Sequence, residues 1–348
     1  MKVNWKVWLG IVISLAFFAW FLRGLSLGQV WQGLGHANYW YLIPAVAVYF
    51  LAVVARTWRW QYLLKPMAWL PLRRLFPIVV IGYMGNNVYP ARAGEVIRSY
   101  VLRRNAAVPM SASLATVLVE RVFDGLVMLL FVFVTVPFYS LPAWLDFTVI
   151  AATALFAFAL GVLLAIALRP QAFLAIYSSV ESRLLPVHFR GRARNILELF
   201  CTGLSAIGRP RDFAMVFLTS TLVWLTETTK YWVIMHGFPF TVSFLVLMLM
   251  TAVVNLATTI PSAPGYAGTF DASGIETLKA FGVSESVAAG YTLVLHAALL
   301  LPITLLGLYY MWRESLSWAD FKRATVAGRE EKGLAGQAAC PPASGPTV

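Results

Sequence analysis

Charge is missing from long stretches of this chain, and the stretches it leaves have the length of a membrane span. A helix crossing the hydrocarbon core needs about 20 apolar residues, with about 17 to 25 as the working range. Six runs of 16 to 27 residues lie in or close to that range: Val7 to Leu22, Tyr39 to Ala55, Ser113 to Val136, Phe147 to Leu168, Phe213 to Met235 and Ser286 to Trp312. A seventh, Thr241 to Ile260, ends in a Pro/Gly-rich break. The 348 residues are 60% hydrophobic and 12% charged, whereas a soluble domain carries about 25% charge, so a single soluble globular domain is excluded. Val7 to Leu22 is followed at once by Arg23 and by no small-residue cleavage site, which reads as an uncleaved first helix.

The formal net charge is +12. In a membrane chain such an excess reports which short loops face the cytoplasm, not nucleic-acid binding. Arg56, Arg59, Lys65, Arg73 and Arg74 follow the second run, an Arg-rich segment fills 169–212, and Arg313, Lys322, Arg323, Arg329 and Lys332 follow the last run. These three regions are expected in the cytoplasm. The turns 24–38, 137–146 and 236–240 hold no Lys or Arg and are expected outside.

Two stretches break the pattern. Leu75 to Arg104 has basic pairs at both ends, and its apolar part is interrupted by Gly82, Gly85, Asn86, Asn87, Pro90 and Gly94. A span cannot cross and return in that length, so the spacing predicts a re-entrant hairpin unwound near Asn86 to Gly94. Thr258 to Gly274 repeats the form: an apolar helix, a Pro/Gly loop, then a short helix with Asp271 and Glu276. Non-helical backbone at membrane depth is tolerated only where it is buried in protein or lines a polar cavity. Broken segments in matching positions of inverted halves point to a midplane site, and charge placement is consistent with such a repeat.

Charges inside the runs narrow the site. Each costs about 2.5–3.5 kcal/mol to insert, so Glu120, Arg121, Asp124, Glu227 and Lys230 need partners. Glu227 and Lys230, at i and i+3, can pair with each other. Glu120 and Asp124 share a face and repel, which calls for Arg92, Arg98 or Lys230; the alternative is an interfacial cluster with Arg121 snorkelling. Arg92, Glu95 and Arg98 follow the first loop and suit an anion or headgroup at a half-helix N-terminus. Asn86 and Asn87 have a structural alternative as caps of the broken ends.

Other classes leave no trace. There is no HExxH, GxSxG, Walker A or strand-borne GxGxxG sequence, and His36, His188, His236 and His296 are scattered. Cys201 and Cys340 are too few for a disulfide framework or a Cys-rich zinc site. No catalytic residue, metal or cofactor is therefore expected. Trp5, Trp8, Trp20, Trp31, Trp40, Trp58, Trp60, Trp69 and Trp312 read as an interfacial belt. Segment 183–208 reads as a basic amphipathic helix on anionic lipid, and the tail 316–348 as cytoplasmic and largely disordered.

Three runs, NNVYPARAGEVIRSYVLRR (Asn86 to Arg104), VERVFDGLVMLL (Val119 to Leu130) and IPSAPGYAGTFDASGIETLKAFGVS (Ile260 to Ser284), together resemble the lysylphosphatidylglycerol synthase transmembrane-region family, also called flippase-like or UPF0104 proteins. The resemblance covers roughly residues 5–315. It implies a stand-alone translocase-like domain over 1–315 in a prokaryotic cytoplasmic membrane, without the soluble transferase of the bifunctional members. Relatives are associated with phospholipids, hopanoids and polyprenyl-linked sugars, so the lipid stays open. The positions it carries over are Asn87, Pro90, Arg92, Gly94, Glu95 and Arg98; Glu120, Arg121 and Asp124; and Pro261, Pro264, Gly265, Gly268 and Asp271. Ala93 and Asp271 stand where relatives vary, so their side chains carry less weight.

The expected fold is all-α and polytopic, with six to eight transmembrane helices, two re-entrant broken-helix hairpins and both termini cytoplasmic. The expected activity is movement of an anionic, phospholipid-type or polyprenyl lipid between leaflets. The alternative is a non-transporting scaffold that recruits a lipid-modifying enzyme or glycosyltransferase through 183–211. An intramembrane enzyme using Glu95 or Asp124 ranks last, because no nucleophile or metal set accompanies them.

Overall fold

The computed structural model describes residues 34–35, 37–89, 92–139, 143–184, 187–259 and 264–314. The expected first helix at Val7 to Leu22, the turn residues 24–33 and 36, the tail 316–348, and the site positions Pro90 and Pro261 lie outside them. No strand occurs among the described residues. Eleven α-helices follow in order: α1 Leu42–Leu64, α2 Leu72–Val88, α3 Ala93–Ala106, α4 Met110–Thr135, α5 Ala143–Leu168, α6 Pro170–Leu184, α7 Val187–Leu204, α8 Pro210–Met235, α9 Phe244–Ala257, α10 Thr269–Ala280 and α11 Glu285–Arg313.

Two helices, Tyr39–Leu64 and Glu285–Arg313, are long and apolar enough to cross a bilayer unbroken. The apolar parts of α5 and α6, Thr153–Leu168 and Pro170–Ser178, meet at 96° and form a third candidate if the pair is one broken span. α4 and α8 have 26 residues each, but they carry Glu120, Arg121 and Asp124, and Glu227 and Lys230. α8 also holds five threonines at positions 219, 221, 226, 228 and 229, each of whose hydroxyls donates to the carbonyl four residues back. That self-satisfaction lets a polar helix sit among apolar neighbours.

One expectation fails at the second helix. It does not end at Ala55; α1 runs to Leu64, and Arg56 and Arg59 lie inside it, buried. The reason is pairing: both guanidiniums meet carboxylates from other helices, so charge at these positions marks no cytoplasmic loop. Trp60 is likewise fully buried rather than interfacial, whereas Trp40, Trp69 and Trp312 are exposed as a belt requires. Segment 183–208 is also not a lone surface helix. α6 and α7 divide it, and Cys201 and Leu204 at the end of α7 bury against α4.

The first break is narrower than expected. Asn86 and Asn87 are helical, α2 continuing to Val88, and α3 begins at Ala93. The two helices then pack backbone to backbone. A Cβ on Gly94 would stand 1.9 Å from the Gly82 carbonyl oxygen. Apolar surface gives helices little reason to associate in lipid, so close approach at small residues supplies the contact.

The second break has the expected form. α9 ends at Ala257, a tight turn occupies Pro264–Tyr266, and α10 follows. Gly265 and Tyr266 have φ of 67° and 62°, the left-handed region that costs a residue with a side chain about 1–2 kcal/mol.

One apolar cluster gathers α1 to α4 with the ends of α5, α7 and α11 and the start of α8, a second gathers α8 to α11 with Ala45 of α1, and a third joins α4 to α8 and α9 with Ala55 of α1. Ile150, Leu155 and Phe158 on α5, and Leu301, Leu305 and Trp312 on α11, stay exposed. Such faces suit hydrocarbon as solvent.

Candidate functional site

Between the first two clusters lies a cavity of about 140 Å³. Its wall is drawn from α1, α2, α4, α8, α9, α11 and both breaks, including Arg56, Asn87, Arg92, Asp124, Glu227 and His296. A second chamber of about 210 Å³ shares Arg92, Arg121, Asp124 and Asn255 with it and extends to Glu95, Phe156 and Leu256.

The charges form two linked groups. In the first, Arg59 on α1 donates to Asp124 Oδ1 at 2.6 Å and to Ser220 Oγ at 2.8 Å, and stands 3.6 Å from Glu120. Trp224 Nε1 donates to the same Asp124 oxygen at 2.8 Å. Arg98 donates to Glu120 at 2.5 Å and lies 4.3 Å over the Trp60 ring. Arg121 stands 3.5 Å from Asp124 and 3.3 Å from Glu95. In the second group, Glu227 takes Lys230 on its own helix and Arg56 from α1 at 3.0 Å. With Arg92, which stands 4.0 Å from Glu95, the network holds six basic and four acidic side chains, a formal excess of two positive charges.

The expected buried network around Glu120, Arg121 and Asp124 is present, as is the Glu227 to Lys230 pair. Of the three cations expected, Arg98 does answer Glu120, whereas Lys230 serves Glu227 and the partner of Asp124 is Arg59, which charge counting places in a loop. Arg98 is buried, donates to Glu120 and lies over Trp60, while its Nε has no hydrogen-bond partner among the described residues and it borders a small pocket with Glu95 and Arg121. Arg92 is placed differently. It caps α3 with φ of 52°, donates to the Thr258 carbonyl at the end of α9 at 2.8 Å, and stands 4.0 Å from Glu95 and 5.5 Å from the Tyr266 ring centre. The first break thus touches the second through one side chain in the cavity wall.

Asn87 does not cap a helix end either. Its Nδ2 donates to Thr304 Oγ1 at 2.9 Å and the Leu300 carbonyl at 3.4 Å, tying α2 to α11. Asn86 is buried, with Oδ1 near Gly94. Pro264 and Gly265 form the turn and Gly268 precedes α10, where its N–H donates to Asp271 Oδ2 at 3.1 Å. Asp271 is therefore no minor position. Its other oxygen meets His296 Nδ1 at 2.8 Å, and His296 Nε2 lies 2.7 Å from the Gly265 carbonyl oxygen.

Sequence reasoning missed Arg56, Arg59 and His296. For the arginines a signal existed: with Ala52, Val53, Trp60, Leu63 and Leu64 they continue the helical spacing of α1 past Ala55. His296 offered none. No group of three or more His, Cys, Asp or Glu side chains that could hold a metal occurs among the described residues.

Fold and site together define a helical membrane protein whose charges converge on a cavity between two broken helices. The chain belongs to the family described as the lysylphosphatidylglycerol synthase TM region, whose model matches residues 7–307. It is 24% identical over 310 residues to a UPF0104 membrane protein of Methanothermobacter thermautotrophicus, covering 82% of this chain and 88% of that one. A UPF0104 membrane protein of Methanocaldococcus jannaschii is 22% identical over 303 residues with the same coverage. Glycosyltransferase AglD of Haloferax volcanii is 24% identical over 327 residues, covering 86% of this chain and 52% of that protein. No solved structure matches the chain.

Proposed function

We propose that the protein is a lipid translocase that carries an anionic headgroup through the two chambers while the acyl chains stay in the bilayer. The observation that carries this reading is the excess of basic over acidic side chains around the cavity, where Arg92 and Arg121, the two cations that are only partly buried, stand beside the single carboxylate of Glu95 and the shared one of Asp124. Six bases share four acids, so the cavity is short of negative charge, and a phosphate-bearing headgroup supplies it. Arg92 and Arg121 take the phosphate, exchanging Glu95 for it. Phe156 and Leu256 border the second chamber, and α5 beyond them is apolar and exposed, which gives the chains a way out to lipid.

In this reading the chain spans a prokaryotic cytoplasmic membrane six to eight times with both termini inside. Both breaks are re-entrant, and the two halves are related as an inverted repeat. It performs no covalent chemistry of its own. The test is reconstitution into phosphatidylglycerol-containing vesicles with a fluorescent phosphatidylglycerol whose outer-leaflet signal is quenched chemically. Wild-type protein should speed equilibration between leaflets, and Arg92→Ala protein of unchanged fold should not. Equal rates in both would overturn the site.

The match to glycosyltransferase AglD over about half of that protein favours a second reading, in which the domain holds a lipid-modifying enzyme or glycosyltransferase at the membrane. That reading expects a co-purifying enzyme and vesicles no faster than protein-free ones.

A further inference from the structure

His296 stands between two hydrogen-bond acceptors. On one side is Asp271, whose second oxygen already accepts the Gly268 N–H. On the other is the Gly265 carbonyl, which has no proton to give. A neutral imidazole has one N–H and one bare nitrogen. It can serve both neighbours only if Asp271 holds a proton. An imidazolium serves both outright. Whichever residue carries it, the couple holds one proton more than a carboxylate beside a neutral imidazole. Phe270 stacks on the ring at 4.5 Å and fixes its plane.

We infer that His296 and Asp271 form a proton-binding site that latches the Pro264–Tyr266 turn across the cavity, and that loss of the proton unlatches it. On deprotonation the Nε2–H bond breaks, the proton passes to bulk water, and two lone pairs face each other at 2.7 Å. The bond to Gly265 is then lost. Its release matters because the turn holds the two breaks together: a Cβ on Gly265 would lie 3.6 Å from the Asn87 carbonyl oxygen, and Tyr266 lies against Arg92.

Other ionisable groups share the cavity wall with His296: Tyr266 from the turn, Arg92 at the first break, Tyr83 from α2, Tyr49 and Arg56 from α1, Arg121 and Asp124 from α4, and Glu227 and Tyr231 from α8. Asp271 is the acid within hydrogen-bond reach of His296 among the described residues.

The inference deepens the translocase reading by giving it a proton to couple to, and its test does not require transport. Nitrogen NMR of histidine-labelled protein, with the four histidines assigned through His296→Gln, should show both His296 ring nitrogens carrying hydrogen at neutral pH. Asp271→Asn should remove that signature. A bare ring nitrogen at neutral pH, with no proton on Asp271, overturns the inference.

The latch itself is read by thiol labelling at Ala267→Cys in protein whose two native cysteines are serine, expressed relative to the same label in a His296→Gln background to cancel thiol ionisation. Labelling should rise about tenfold or more from acid to alkaline pH, the range one charge-assisted hydrogen bond supports. A ratio flat across pH overturns the latch. If His296→Gln does not fold, Asp271→Asn serves as the reference, and its ratio should likewise rise with pH. Lipid movement in vesicles separates the two readings. No movement with a proton-bound couple sinks the translocase alone, and movement with a neutral couple sinks the latch alone.

Discussion

Arg59 Nη1 lies 2.6 Å from Asp124 Oδ1, and the two side chains are 1% and 5% exposed. Removing one member of a buried pair costs about 3–5 kcal/mol where the other is left alone; Asp124 keeps Arg121 at 3.5 Å and the Trp224 N–H, so the loss should fall toward the lower end. Arg59→Met should therefore lower the thermal midpoint sharply in a detergent unfolding assay. Arg59→Met with Asp124→Leu should recover part of the loss, because the double variant strands less charge. A double variant no better than the single one would show that the pair contributes no coupling.

Two arginines six residues apart should fail differently. Arg98→Ala leaves buried Glu120 with only the longer contact to Arg59 and empties the space over Trp60, so the protein should lose stability by about 3 kcal/mol. Arg92 stands in the cavity wall and bonds to a backbone carbonyl. Arg92→Ala should leave the unfolding midpoint nearly unchanged and abolish accelerated lipid movement. The contrast is measured by running both assays on both proteins.

Gly94→Ala places a methyl 1.9 Å from the Gly82 carbonyl oxygen. Both partners are backbone, so α2 and α3 must part. Overpacking of this kind costs about 1–3 kcal/mol or more, and reduced yield of monodisperse protein should report it. Gly161→Ala is the control. Its Cβ meets nothing within 4 Å, and a helical Gly→Ala change gains about 0.5–1 kcal/mol.

Phe156, on α5, borders the second chamber, and its ring would lie 2.0 Å from a Cβ on Gly125. Phe156→Ala should widen that chamber and raise the rate of lipid equilibration in vesicles, with little change in stability at this half-buried position. A slower rate would mean the chains leave elsewhere.

Much of this was legible in the sequence. α5 and α8 end at Leu168 and Met235, where their apolar runs stop, because Pro170 and the Gly237 turn end them. The second break was readable from its prolines and glycines. The need of Glu120 and Asp124 for cations was readable too, since a buried acid without one is prohibitive.

Which cation answered was not readable. Arg59 and Asp124 are 65 residues apart, and nothing local in either helix encodes that meeting. The same holds for His296, a lone histidine until α10 brings Asp271 to it. Arg56 and Arg59 misled for a related reason. Hydropathy treats a charge as a boundary, while a pair across helices makes it interior.

That pairing also sets an order on synthesis. A chain enters the membrane N-terminus first, so α1 with Arg56 and Arg59 is made well before Asp124 and Glu227. Each unmatched arginine costs about 2.5–3.5 kcal/mol at the centre of a bilayer. Released at once, α1 would face that cost alone. That cost is offset in full only when the last of the acids, Glu227 on α8, arrives. Biogenesis of this protein is thus a problem of delayed partners, in which late helices complete early ones.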